Sequence, residues 1–189
     1  LAAEHLLQLG HRRIACWSGP KESLAARKRL EGVVETLAAQ GLELMAEHSG
    51  AAPSFHADAS VGYCKRWLTL PKQSRPTGIV MANDEQAMTF LRMVMDRGIN
   101  VPEDVSVVGF DGIEEGARFW PGVTTVAQPM HAIGSAAARI VLQMIEGTES
   151  QIPEYMEFDT ELVVRESTGP APEGSMLEIK NASAGTGRR

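Results

Sequence analysis

Residues 101–112 read VPEDVSVVGFDG. From Val105 to Phe110 the run is short, largely β-branched and apolar, and Pro102, Glu103 and Asp104 form a turn signal in front of it. Such a run, without polar alternation, predicts a strand buried on both faces, as in the middle of a parallel sheet. It ends on Asp111 with Gly112 behind. In an open α/β sheet, ligands bind at the carboxyl ends of strands, and an acid just after a strand is also an ordinary cap for the next helix. On the residues alone both roles stay open.

Outward from this strand the chain alternates. LAAEHLLQLG (1–10) places Ala3, Leu6, Leu7 and Leu9 at helical spacing and stops at a glycine; the strand RIACWSG (13–19) follows. SLAARKRLEGVVETLAAQG (23–41) predicts a serine-capped helix with Leu30, Val33, Val34 and Leu37 on its inner stripe. LELMAEHSG (42–50) reads as a strand, DASVGYCKRWLTL (58–70) as a helix facing the sheet through Val61, Cys64 and Leu68, and TGIVMA (77–82) as a buried strand. DEQAMTFLRMVMDRG (84–98) predicts a helix packed through Ala87, Leu91, Val94 and Met95. The expected class is therefore α/β, a mostly parallel sheet with helices on both faces, because each parallel crossover needs a covering connection. After Trp120 the rhythm changes to extended VTTVAQP (123–129), a helix MHAIGSAAARIVLQMIEG (130–147) and a last strand MEFDTELVVRES (156–167). From Gly169 the composition turns to Gly, Pro, Ser and Ala, so 169–189 is expected to be a disordered tail.

With 189 residues and 43% hydrophobic content, the chain can bury one sizeable core. A formal charge of -6 argues against this chain gripping a phosphate backbone, which takes clustered cations. Cys16 and Cys64 show neither CxxC nor zinc spacing and read as two reduced packing thiols in a cytoplasmic protein. No signal-peptide pattern and no run of ~18 apolar residues is present. The chain opens inside a helix-like stretch without an initiator methionine, so it is expected to be a fragment.

Nothing has the form of a phosphate loop, a dinucleotide fingerprint, a nucleophile elbow or an HExxH helix, so neither a cofactor nor a metal is expected. His56 and Asp58 alternate in a polar loop without a nucleophile beside them, which is ordinary loop chemistry. The polar groups that stand out share one edge of the sheet. Asn83 and Asp84 end one strand and Asp111 ends its neighbour; Arg27, Lys28 and Arg29 open a helix that starts at the same edge. A carboxylate, a carboxamide and a guanidinium over an apolar floor suit a small ligand with several hydroxyls. The plainer reading makes Asp84 and Asp111 helix caps and Arg29 a solvated charge, with Asn83 having no role in the cap.

HLLQLGHRRIACWSGP, RKRLEG, PTGIVMANDEQA, RGINVPEDVSVVGFDG, VTTVAQP and LVVREST, in this order and at these intervals, closely resemble the regulatory domain of LacI/GalR-type bacterial transcription regulators. The resemblance runs from residue 1 to about Thr168. It implies a periplasmic-binding-protein-like type I lobe: 1–122 plus 157–168 as the C-terminal lobe of an effector-binding core, 123–150 as a crossover segment and helix belonging to a largely absent N-terminal lobe, and no helix-turn-helix. It implies a non-catalytic sensor of a small, carbohydrate-like effector, a homodimer that meets operator DNA only through the missing N-terminal domain and no membrane. By the same resemblance Arg29, Asn83, Asp111 and Gln128 match effector-contacting positions. The family's aromatic platform falls at Ala57 here, which leaves Phe55 or Trp120 to supply the ring, and Ser23 stands where purine-responsive members carry an arginine. Two rivals share the fold class: a periplasmic sugar-binding protein and a small α/β enzyme.

Overall fold

The computed structural model describes residues 1–44, 46–147, 153 and 155–172. Six strands form one sheet in the order β2-β1-β3-β4-β5-β6, where β1 is Ile14–Ser18, β2 Ser49–Ala51, β3 Gly78–Met81, β4 Ser106–Asp111, β5 Thr124–Ala127 and β6 Glu161–Val163. The pairings from β2 through β5 are all parallel, and β6 returns antiparallel to β5. The chain leaves β1 to one side for β2 and comes back on the other side for β3, so the topology reverses at the β1–β3 boundary. In doubly wound sheets, the crevice for a ligand opens at the carboxyl ends of such strands.

Helices α1 (Ala2–Gln8) and α2 (Leu24–Ala38) cover one face; α3 (Ser60–Thr69) and α4 (Asp84–Met95) cover the other. Strands β1, β3 and β4 each feed both cores, as period-two geometry requires. Ile14, Cys16, Val80 and Val108 meet Leu6, Val33 and Leu37 under α1 and α2. Ala15, Trp17, Ile79, Met81 and Val107 meet Tyr63, Trp67, Phe90 and Leu91 under α3 and α4. Trp17 stacks on Tyr63 at 5.0 Å and meets Phe90 edge-on at 5.1 Å. The two cysteines are free and buried on opposite faces, with burial pushing the Cys16 thiol up to about 12 and Cys64 to about 11.

Several expected details shift. Of 42–50 only Ser49 and Gly50 are in a strand: Ala46–His48 forms a 3-10 turn, Leu42 and Leu44 pack on the α1–α2 core, and Met45 lies outside the described residues. In α3 the buried stripe is Ser60, Tyr63, Cys64 and Trp67, with Val61 and Leu68 half-buried beside it, because the larger rings claim the sheet. Val34 of α2 is exposed and Met95 of α4 only half-buried. The final strand shortens to three residues, and α5 (Glu114–Arg118) adds a helix after β4. The crossover helix α6, Met130–Ile145, buries none of its residues.

At the opposite, amino-terminal edge, residues 165–169 are stitched under β4 and β5. Ser167, fully buried, donates from Oγ to Val107 O and accepts from Thr124 N, while Val107 N donates to Ser167 O. His11, also fully buried, joins Thr77 Oγ1 at 3.0 Å through Nδ1 and Gly169 O at 3.1 Å through Nε2. Ala171 N donates to Leu9 O, and the stretch 173–189 of the expected tail lies outside the described residues.

Candidate functional site

Strand β3 runs directly into α4, and the two polar residues at that junction divide the work differently from the reading of Asp84 as a cap. Asn83 is the N-cap: its backbone is extended and its Oδ1 accepts from Gln86 N at 2.9 Å, the ordinary capping bond. Its Nδ2 donates to Phe55 O at 2.8 Å. Gln86 Nε2 donates to Ser54 O at 3.0 Å and reaches His56 O at 3.3 Å. Asn83 and Gln86 thus grip the loop that carries Phe55 by its backbone. Asp84, fully buried, instead accepts at Oδ2 from Gly112 N (2.8 Å) and Ile113 N (2.9 Å), the turn behind Asp111.

The gripped loop lays the Phe55 ring over the end of β1, where a Cβ on Gly19 would fall 2.2 Å from the ring. Arg29 rises from the second turn of α2, its guanidinium 3.5 Å from the Phe110 ring centre and 6.0 Å from that of Phe55. Its Nη1 donates to Ala82 O at the end of β3, and its Nη2 stands 3.7 Å from Asp111 Oδ1, an ion pair too long for a hydrogen bond. Gln128, just after β5, donates from Nε2 to Asp111 Oδ1 at 2.7 Å. Burial raises the Asp111 carboxyl above its ordinary value, against the Arg29 charge and the Gln128 bond, which favour ionisation. Burial likewise lowers Arg29, opposed by Asp111. Among the described residues Asp111 Oδ2 accepts no hydrogen bond, so the acid and the guanidinium both keep capacity for a guest.

The structure therefore brings Arg29, Phe55, Asn83, Asp111 and Gln128 to the carboxyl end of the sheet. Trp120 stands elsewhere, 75% exposed in front of β5 among Arg92, Met95, Asp96 and Arg118. His56 and Asp58 are exposed and do not bond each other. Phe110, Gln86 and Gly19 take part without having been singled out. Phe110 was legible in principle: it precedes Asp111 on a strand whose alternation points it toward α2.

A mostly parallel sheet that reverses at β1–β3 and ends on an antiparallel β6, with polar groups gathered at its carboxyl edge, has the form of a lobe of periplasmic-binding-protein type. The chain belongs to that family: the pattern of the periplasmic binding protein-like domain matches residues 3–168, in the form carried by LacI-type transcription regulators. The transcriptional regulator MalR of Streptomyces coelicolor is 38% identical over 172 residues, 91% of this chain and 49% of that protein. The structure of the regulator CelR in complex with cellobiose superposes with a TM-score of 0.80 at 33% identity, over 88% of this chain and 50% of that one. The lac repressor dimer bound to operator and an anti-inducer gives 0.77 at 28% identity, over 89% and 49%. The chain spans about half the length of the curated relatives it matches.

Proposed function

We propose that this chain is the effector-sensing part of a LacI-type transcription regulator, and that Arg29, Asp111 and Gln128 hold a small polyhydroxylated, carbohydrate-like molecule with Phe55 and Phe110 beside it. The observation that carries this reading is the incomplete pair. Arg29 offers donors, Asp111 offers an acceptor, and at 3.7 Å they do not satisfy each other. A hydroxyl both donates and accepts, so a pair of neighbouring hydroxyls can bond both groups at once. The flanking rings give the apolar faces of a sugar a surface to lie on. The cellobiose bound by CelR supports the same ligand class. Asn83, its amide committed to Gln86 N and Phe55 O, serves the site mainly by fixing the loop.

The relatives the chain matches are transcription regulators, which supports reading it as a sensor rather than an enzyme. Residues 1–122 and 157–168 form one lobe. The pairing of β5 with β4 and β6 supports counting 123–127 with that lobe as well, so that of the segment 123–150 it is α6 that belongs to a second lobe of a longer protein, whose DNA-binding portion meets the operator. The lac repressor dimer on its operator supports a homodimeric assembly of this kind, which on this reading works in the bacterial cytoplasm; among the described residues no helix is long and apolar enough to cross a membrane. In the full-length regulator, Asp111→Ala or Arg29→Ala removes a charge-assisted hydrogen bond worth ~1.5–3 kcal/mol, so effector affinity falls by roughly 10- to 150-fold while the fold persists. Calorimetric titration checks this; affinity unchanged in both variants would refute the assignment.

A further inference from the structure

Strand β4 alternates cleanly until its last residue. Val105 and Val107 enter the core under α3 and α4, and Val108 enters the core under α1 and α2. Phe110 continues on the α2 side, against Arg29. By the same alternation Gly109 and Asp111 belong on the α4 side. Gly109 does lie there: a Cβ on it would sit 2.1 Å from Asp84 Oδ1 at the start of α4. Asp111 does not follow. Its φ is +106°, a positive value found at no other non-glycine among the described residues, and its carboxylate faces Arg29 of α2. A residue with a Cβ adopts that conformation only when its surroundings impose it.

The surroundings that impose it converge on Asp84. One oxygen binds the amides of Gly112 and Ile113, drawing the backbone just after Asp111 toward α4. Gly112 completes the turn at φ +80°, where a Cβ would lie 2.6 Å from that of Ala127. The other oxygen, Oδ1, fills the α4 side beside Gly109; it is buried just outside strict hydrogen-bonding geometry, and Thr125 is the side chain that favours this carboxylate. Burial raises the Asp84 carboxyl above its ordinary value, against Thr125 and the Ile113 and Gly112 amides, which favour ionisation, and the Asp111 charge adds to the rise. From the front, Gln128 donates through N to Asp111 O (3.1 Å) and through Nε2 to Oδ1.

We propose that Asp84 is the positioning residue of the site. By binding the Gly112 and Ile113 amides and occupying the α4 side of β4, it forces Asp111 out of the extended conformation and turns its carboxylate toward Arg29. Asp84 itself meets no ligand, and Gly109 is glycine because the Asp84 carboxylate needs the space. The role assigned to Asp111 here rests on reading it as a ligand group, yet the turn can be tested with no ligand present.

The experiment follows the titration of the Asp111 carboxyl carbon by NMR in the 189-residue chain, for wild type, Asp84→Ala and Asp84→Asn, each with and without Arg29→Gln. In the wild type, Arg29→Gln is expected to raise the Asp111 midpoint by about one pH unit, the low end for a guanidinium this close. In Asp84→Ala the same substitution should move it by less than a third as much, because the acid has relaxed away from Arg29. Asp84→Asn keeps an acceptor for both amides and should retain most of the effect. A merely structural Asp84 would lower the unfolding midpoint and leave the influence of Arg29 on Asp111 undiminished in every background; that result overturns the proposal, as does a wild type in which Arg29→Gln shifts nothing. Should Asp84→Ala fail to fold, Gly109→Ala, whose methyl displaces the same carboxylate, must show the same loss of coupling. A ligand response indifferent to Asp111, with the coupling as expected, would sink the effector reading and leave Asp84's role standing.

Discussion

Asn83 and Asp84 show how far one residue's role can be read without coordinates. Their presence at the end of a strand was legible, and so was their place on the ligand edge, because strand ends in a parallel sheet share a side. Which of the two caps the helix was not: both side chains are good caps, and the choice depends on a distant turn, Gly112–Ile113, that claims Asp84. Phe55 was legible only as one of two possible rings, since its place depends on a loop held by Asn83 and Gln86. Gly19 makes that place testable. Its backbone is compatible with a side chain, but a methyl would strike the Phe55 ring at 2.2 Å, so Gly19→Ala should swing the ring out of the site at a cost under about 1 kcal/mol. A structure of the variant with the ring unmoved would contradict this, as would an unfolding free energy lowered by several times that amount.

At the level of elements, the helices α1 to α4 and the central strands followed from periodicity, because each buries a continuous stripe or a whole run. The short edges did not: β2 and β6 hold three residues each, too few to impose a pattern. The strap at 165–169 was visible as sequence but not as a lock, since its bonds come from His11, Ser106, Val107 and Thr124 in remote parts of the chain. The lock has a pH dependence. Burial lowers His11 from 6.5 to about 4, against a smaller opposing effect of the bond to Gly169. The unfolded chain therefore binds a proton between pH 6.5 and 4 that the folded chain does not, and stability falls as pH drops through that window, by roughly 3 kcal/mol in full. His5 and His48, also lowered by burial, act in the same direction. Urea unfolding at pH 7 and pH 4.5 should show the loss, and His11→Gln, less stable at pH 7, should show a much smaller difference between the two. An equal difference in both proteins would place the acid sensitivity elsewhere.

For the whole molecule the unusual element is α6. Met130, Val141, Leu142, Met144 and Ile145 are exposed and Ile133 and Ile140 only half-buried; a helix apolar around most of its circumference is ordinarily an interior one. Covering one face of it would remove about 300–500 Å² from water, worth roughly 7–12 kcal/mol at ~25 cal/mol per Å². With this chain alone in solution the expected cover is a second copy, so the 189-residue chain should sediment above monomer mass at micromolar concentration, and Ile133→Glu with Ile140→Glu should shift it toward monomer; the same mass for both proteins would exclude α6 as the contact. The central claim concerns sensing, and its most direct measurement is operator binding by the full-length regulator across a panel of neutral sugars beginning with cellobiose, sugar acids and purines, for wild type, Asp111→Ala and Arg29→Ala. The account predicts that a sugar-like member of the panel changes operator affinity in the wild type, and that both variants bind operator normally but need at least tenfold more of that compound. A response that is unchanged in both variants would contradict it.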